Sequence, residues 1–426
     1  MTGRLFLPTA LALAGCVQFA ARPLDPAANA ARLSDARLAD KTWTLQELAD
    51  EAAKNQPEVA VARAQYETAQ AAIGTAGERP NPTIALSPQI VTPYTALIAG
   101  TYGVDFDWTF ETAGKRSRRR EAAHHAVRAA AARVVDASWK ARVAVRKAML
   151  EIYAGEERVK LLGDAITQQE ALLKVLGERI QAGAESRSIT AQPRLMQAQL
   201  RLQVSDAAKG AALGRAALAE ALGMSTSGLL GVKFSFAPFE GVPLRRVAHR
   251  REALTHRADV LAALADYAVA ESTLRLEIAK QYPDLHLNPG YQLDAGENKW
   301  TLGVGITLPI LNQNRGPIAE ADAKREEAAA KFNAVQAKVL ADCDRAAAAV
   351  HAARAKLAVT DELLAEQARQ LGSEARLVEA GEGDKLALLS ARVERATTLT
   401  SRLDALVELQ AALGALEEAT QSPLVK

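Results

Sequence analysis

The stretch Tyr102–Phe110 reads YGVDFDWTF, with a period of two. Tyr102, Val104, Phe106, Trp108 and Phe110 alternate with Gly103, Asp105, Asp107 and Thr109. Successive side chains of a strand point to opposite sides, so five apolar groups share one face and both aspartates the other. Aromatic residues make up only 4% of the chain, yet four stand on this one face. A half-buried strand of a soluble sheet is the plain reading, and the remaining segments of the same pattern weigh against it.

Three such segments exist. Ile84, Leu86, Pro88 and Ile90 alternate with Thr83, Ala85, Ser87 and Gln89, and Leu285, Leu287, Pro289, Tyr291 and Leu293 with His286, Asn288, Gly290 and Gln292. Trp300, Leu302, Val304, Ile306, Leu308 and Ile310 alternate with Thr301, Gly303, Gly305 and Thr307. The pattern predicts strands over about 82–91, 102–110, 284–293 and 300–310, close to the length that spans an outer membrane, with lipid on the apolar face and water on the other. Four strands cannot close a barrel, and unpaired edges are not tolerated in hydrocarbon, so closure needs several chains. Two copies would give eight strands around a filled interior; three would give twelve and room for a lumen. Inward Gly103, Gly303, Gly305, Thr301 and Thr307 favour the open version. The alternative is a soluble sheet covered by helices.

The chain also repeats itself. QPEV at Gln56 returns as RADV 201 positions later, from 56 to 257, and AQYETAQAAI at Ala64 returns as ADYAVAESTL, from 64 to 265. PTIALSP at Pro82 becomes PDLHLNP at Pro283. Each copy, 43–222 and 251–420, is predicted to run helix, two strands, very long helix, glycine turn, long helix. Helices are expected at 45–77, 112–182 and 188–222, then at 251–281, 317–380 and 384–420. Residues 223–250 link the copies through short extended pieces, and 421–426 form a tail. Leu162, Ile166, Gln169, Leu173, Leu176 and Ile180 step by four and three, as do Leu386, Leu389, Val393, Ala396, Thr400 and Leu403. Such seams mark coiled-coil packing. A helix of about 70 residues would extend about 100 Å, far beyond a globular need; Gly155, Gly163 and Gly177 are places where it could bend.

Composition is consistent with long helices rather than a membrane-spanning helix bundle. Of 426 residues, 49% are hydrophobic, with alanine dominant, and 52 Lys and Arg nearly balance 50 Asp and Glu. No apolar run of about 20 residues follows the N-terminus, which excludes a transmembrane helix there but not a barrel. MTGRLFLPTALALAGC joins Arg4, a short apolar stretch and Leu13-Ala14-Gly15-Cys16. This reads as a signal peptide over 1–15 with Cys16 as the lipidated first mature residue, the alternatives being an ordinary signal or a misassigned start. Residues 16–42 would form a tether. Cys343, in the helical flank VLADCDRAAAAV, is then without a disulfide partner and reads as a small buried side chain.

These features together resemble the outer-membrane factor family, the TolC-like exit ducts of tripartite efflux and secretion systems. RADV at Arg257, YPDL at Tyr282, LPILNQNRG at Leu308 and FETAGKRSRRREAA at Phe110 are similar to the family's local strings, and the GKR element most resembles its heavy-metal, CzcC-like branch. The resemblance covers nearly the whole mature chain. It implies a mainly α fold: a long coiled-coil helical barrel plus four β-strands per chain, tandemly duplicated, twelve-stranded as a homotrimer. It further implies an outer-membrane location and an exit duct that passively conducts substrate, here divalent heavy-metal cations, from an inner-membrane RND pump through a periplasmic adaptor. A multidrug or type I secretion duct is the alternative within the family; a non-conducting periplasmic coiled-coil scaffold is the alternative outside it.

On this reading the tips fall at 182–187 and 380–384, where Gly183 and Gly381 permit the tight turn and Ser186 belongs to the adaptor-facing rim. Glu185, Glu382 and Asp384 would give a cation-selective mouth. Relatives carry acidic residues slightly further into the last helix, where this chain has Ala387 and Ser390, so a gate of the family type is not expected.

The run Lys115, Arg116, Arg118, Arg119 and Arg120 falls where strand passes into helix. Without aromatic platforms on an exported chain it is not a nucleic-acid site; contact with anionic headgroups of the inner leaflet or a solvated helix start are its two readings. His124 and His125 are adjacent, and His249, His256, His286 and His351 are scattered, so no metal cage is predicted. His286 alone would face a lumen. No nucleophile elbow, phosphate loop or triad is present, and neither catalysis nor a cofactor is expected.

Overall fold

The structure, a computed structural model, describes residues 17–90, 100–241, 250–294 and 296–423. The expected signal peptide, Cys16 and most of the second half of the linking segment lie outside the described residues. Within the expected tether, α1 (Pro26–Asp35) is capped by Asp25, whose carboxylate accepts from the N–H groups of Ala27 and Ala28, and it buries none of its residues.

After β1 (Thr42–Trp43), α2 (Leu45–Asn55) opens on a reciprocal cap in which Thr44 and Glu47 satisfy each other's backbone N–H. Lys41 and Thr44 hold the Glu47 carboxyl down to about 2. The single helix expected over 45–77 is broken: Pro57 forces Gln56 out of the helical region, to ψ 130°, and α3 (Pro57–Gly77) starts afresh. Then come β2 (Thr83–Ile90), β3 (Gly100–Phe110) and α4 (Lys115–Gln181), whose 67 residues run unbroken through Gly155, Gly163 and Gly177. A 3-10 turn at Arg187–Thr190 leads into α5 (Ala191–Ala221). The linking segment supplies β4 (Lys233–Phe234), paired parallel to β1, and α6 (Ala237–Glu240).

The second copy follows the same order: α7 (Arg250–His256), α8 (Ala258–Ala279), β5 (Leu285–Asp294), β6 (Glu297–Ile306), α9 (Arg315–Glu379) and α10 (Lys385–Thr420). Here too the expected helix, over 251–281, splits at Arg257, the counterpart of Gln56. The last strand is displaced from its expected 300–310. The hairpin register begins at Asp294↔Glu297, so the strand starts earlier and leaves Leu308 and Ile310 beyond its end. Both strand-to-helix turns use two consecutive left-handed residues, Ala113–Gly114 and Gln313–Asn314.

One four-element order persists along the molecule. The antiparallel sheet runs β2-β3-β5-β6. Beyond it α3, α4, α8 and α9 lie side by side in the same sense, and toward the far end α5 packs on α4, α4 on α10 and α10 on α9. The first repeat therefore forms one half of a continuous stave and the second repeat the other. Small residues let the helices approach closely: a Cβ on Gly155 would sit 2.7 Å from the Ala211 nitrogen, and one on Gly214 would sit 2.9 Å from that of Ile152. The cores lie along the seams, with Leu48, Met149, Ile152, Leu218 and Phe239 gathered where α2 and α6 brace α4 and α5. Cys343 is buried with Val339, Val350 and Leu409, as read from its flank.

Both edges of the stave are open. On α5, Leu195, Leu202 and Leu213 share one face and are 59%, 64% and 58% exposed; on α9, Val359, Leu363 and Leu377 do the same. No helix among the described residues is long and apolar enough to cross a membrane.

Candidate functional site

The sheet register fixes what each face carries. Thr83↔Asp107, Asp105↔Gly290 and Gly290↔Thr301 align the polar positions of all four strands, and Ile84↔Phe106, Val104↔Tyr291 and Tyr291↔Trp300 align the apolar ones. Nothing among the described residues covers the apolar face: Leu86 is 73%, Trp108 50%, Trp300 80% and Leu302 71% exposed. Trp108 stacks on Phe110 and Tyr291 meets Trp300 within that face. A contiguous exposed apolar surface of this size, backed by a polar one, has the polarity of a membrane barrel wall.

The opposite face is knit by polar side chains. Ser87 donates to Asp105 at 3.2 Å, Thr101 to Asp294 at 3.0 Å and Lys299 to Asp294 at 2.6 Å. His286 Nδ1 lies 3.1 Å from Asp107 and 3.2 Å from Thr109. Gly290 leaves room for these side chains, since a Cβ here would come within 2.5 Å of Asp105 Oδ1 and 2.6 Å of Thr301 Oγ1 as they are placed. Carboxylates therefore outnumber cations on this face: Asp105, Asp107, Asp294 and Glu297 stand against Lys299 and one imidazole.

At the strand-to-helix junction the basic run divides. Lys115 is buried, 7% exposed, and its ammonium donates to Tyr282 O and Asp284 Oδ1, both at 2.7 Å. Burial pushes the Asp284 carboxyl up, but the hydrogen bonds from Lys115 and the Thr112 N–H outweigh it and leave it below the usual range. Arg119 is forked onto Glu111 and reaches Glu78 O. Lys115 and Arg119 are thus both engaged at the joint between sheet and helices, Lys115 buried and Arg119 partly exposed. Arg116 donates to Gly77 O at 2.5 Å, Arg118 pairs with Glu121 at 2.9 Å, and Arg120 is exposed with no partner among the described residues. Arg116, Arg120, His124, His125 and Arg128 line one surface groove.

At the far end Gly183 and Gly381 adopt φ 72° and 78°, the turns their sequence called for. Glu382 is exposed, Glu185 half-buried, and Ser186 Oγ meets Ser188 Oγ at 2.7 Å. Asp384 is already engaged. It caps α10 by accepting from the Leu386 N–H at 2.9 Å and pairs with Arg179 at the end of α4. The backbone N–H first, and Arg179 after it, hold its carboxyl below the ordinary range.

One constellation escaped the sequence. Midway along α4, Arg142 donates to Glu417 at 2.8 Å, Arg146 lies 3.7 Å from the same carboxylate and donates to Gln410 Oε1 at 3.2 Å, and Gln410 donates to Gly241 O at 2.6 Å. Arg146, Gln410 and Glu417 are all buried. Partners 264 and 275 residues apart leave no local signal, so only the heptad positions of α4 and α10 could have hinted at it.

Comparison with known proteins decides the family. The model of the outer membrane efflux protein family matches residues 48–224 and again 250–421, one match per repeat. The chain belongs to the outer membrane efflux protein family. It is 25% identical over 331 residues to the cobalt-zinc-cadmium resistance protein CzcC of Cupriavidus metallidurans, spanning 76% of this chain and 78% of that one. Its fold is similar to that of the outer membrane protein VceC of Vibrio cholerae, with a TM-score of 0.73 at 21% identity over 89% of this chain and 97% of that one. CusC is similar with a TM-score of 0.74 at 15% identity over 91% and 94%. As an outer membrane efflux protein, the chain is an efflux exit channel of the outer membrane with a periplasmic extension. Channels of the family are trimers that work with adaptors and inner-membrane pumps.

Proposed function

We propose that three copies of this chain close into a twelve-stranded barrel above a helical tunnel, and that this duct passively conducts divalent heavy-metal cations delivered by an RND pump through its adaptor. The observation that carries the substrate class is the polar face of the sheet, where four carboxylates per chain oppose one lysine and one histidine. Threefold repetition around a lumen would make that wall attractive to cations and repellent to anions. Similarity to a cobalt-zinc-cadmium resistance protein supports the same class. Transport energy would come from the pump; the duct supplies a path and a tip that opens.

The rim Gly183, Glu185, Ser186, Gly381 and Glu382 would meet the adaptor, while the Arg179–Asp384 pair ties α4 to α10 and would part as the tip loosens. Arg116, Arg118 and Arg120 are the members of the basic run left to meet inner-leaflet headgroups, and Cys16 would carry the lipid anchor.

Growth of a deletion strain and its complemented parent across zinc, cadmium, cobalt, nickel, copper, detergents and hydrophobic drugs tests the assignment. Sensitivity confined to metal ions is expected. Sensitivity to drugs and detergents alone would keep the exit channel and remove the metal assignment in favour of a multidrug duct.

A further inference from the structure

We propose that His286 is a transit ligand for divalent transition-metal ions in the barrel lumen, held ready by Asp107. The inference rests on the channel reading above and names the side chain that its cargo meets. His286 sits on the polar face of β5, opposite Gly305 of β6 and Thr109 of β3. Its Nδ1 is 3.1 Å from Asp107 Oδ1, and a carboxylate only accepts, so Nδ1 carries a proton and, in the neutral ring, Nε2 presents its lone pair. Thr109 Oγ1, 3.2 Å from the same nitrogen, sits on the same side of the ring. Nε2 has no hydrogen-bond partner among the described residues. A carboxylate behind one imidazole nitrogen is the arrangement that fixes the tautomer and raises the basicity of a metal-binding histidine.

The surroundings keep this nitrogen reachable. The His286 side chain is 32% exposed, and its direct neighbour on β6 is Gly305, with Gly303 two positions on. Asp105, two residues from Asp107 on the same face and opposite Gly290, adds a second carboxylate further along the wall, which accepts from Ser87 and has no ion-pair partner among the described residues. Among the described residues no group of three or more His, Cys, Asp or Glu is arranged to hold a metal. One imidazole backed by a single carboxylate is therefore a point of passing contact. A duct needs such a contact to be weak, because an ion that enters must also leave. Imidazole favours zinc, nickel and copper over magnesium, so the contact discriminates by chemistry where the carboxylates discriminate only by charge.

The test uses the full-length protein in planar lipid bilayers, with potassium current measured while zinc chloride or magnesium chloride is added on the barrel side. Zinc should reduce the current at concentrations where magnesium does not. His286→Asn should abolish that difference, Asp107→Asn should raise the half-blocking zinc concentration about tenfold, and His351→Asn, on an exposed part of α9, should leave it unchanged. Zinc block that persists in His286→Asn would overturn the proposal while leaving the channel intact. Absence of current from every variant would overturn the channel reading itself. Independently of conduction, carbethoxylation of His286 in detergent-solubilised protein, read by peptide mass, should be slowed by zinc and not by magnesium; equal rates would overturn the proposal as well.

Discussion

Lys115 and Asp284 join the two repeats across the root of the sheet, and each loses most of its water to do so. Lys115→Met leaves Asp284 without its cation, and Asp284→Asn leaves a buried ammonium short of a partner. Either should lower stability by about 1–3 kcal/mol, read as an earlier heat transition of the detergent-solubilised protein. The sign with pH follows from the depressed carboxyl. Its contribution is fully present above the ordinary aspartate range and is lost as pH falls through the lower folded value. The difference between wild type and Asp284→Asn should therefore be constant near neutrality and shrink only in acid, below about pH 4. The strings GKR and YPDL were legible as marks of kinship, but not as two halves of one contact, because 169 residues separate them. For the same reason Lys115 and Arg119 read as free cations in a basic run, while their partners were invisible. His286 was legible as a polar-face residue from strand parity alone; its Asp107 partner needed the β3–β5 register.

At the scale of elements, periodicity gave the helices and the strand faces, and backbone chemistry gave the corrections. Pro57 stops α2 from running into α3, and the hairpin beginning at Asp294↔Glu297 draws β6 forward, so Leu308 and Ile310 continue the alternation without continuing the ladder. The close approach of α4 and α5 was not legible, since a glycine within a long helix reads first as a bend. Gly155→Leu should force α4 from α5, because even a Cβ there lies 2.7 Å from a backbone nitrogen and 2.8 Å from a backbone oxygen. A cost of about 1–3 kcal/mol or more is expected, seen as lost heat resistance with helix content retained by circular dichroism. The buried Arg146–Glu417–Gln410 group clamps α4 to α10 and to the linking segment. Glu417→Ala strands Arg146 and should cost about 3–5 kcal/mol in chemical denaturation, whereas Lys160→Ala on the exposed surface should change little.

At the scale of the molecule, every level of the stave ends in an unsatisfied edge. Among the described residues the outer strands β2 and β6 are unpaired on their far sides, and α5 and α9 expose leucine and valine stripes. These edges belong to different repeats and differ from each other, so they can meet only between copies, head to tail, in a ring. Leu202→Glu with Leu213→Glu, on the α5 edge, should leave the chain folded and prevent ring closure, which gel filtration in detergent would register. The duplication and alternation made a multi-chain barrel legible from sequence; the matching order of strands and helices, which makes the two edges line up along the whole length, required the structure.

Native mass spectrometry of the detergent-solubilised full-length protein tests closure most directly. The edges, the twelve-strand count and the small residues on the polar face predict a single species of three chains, converted to monomer by Leu202→Glu with Leu213→Glu. A species of two chains would mean an eight-stranded, filled barrel, and a stable monomer would mean that the strands do not form a barrel wall; either would contradict an exit duct built from this chain.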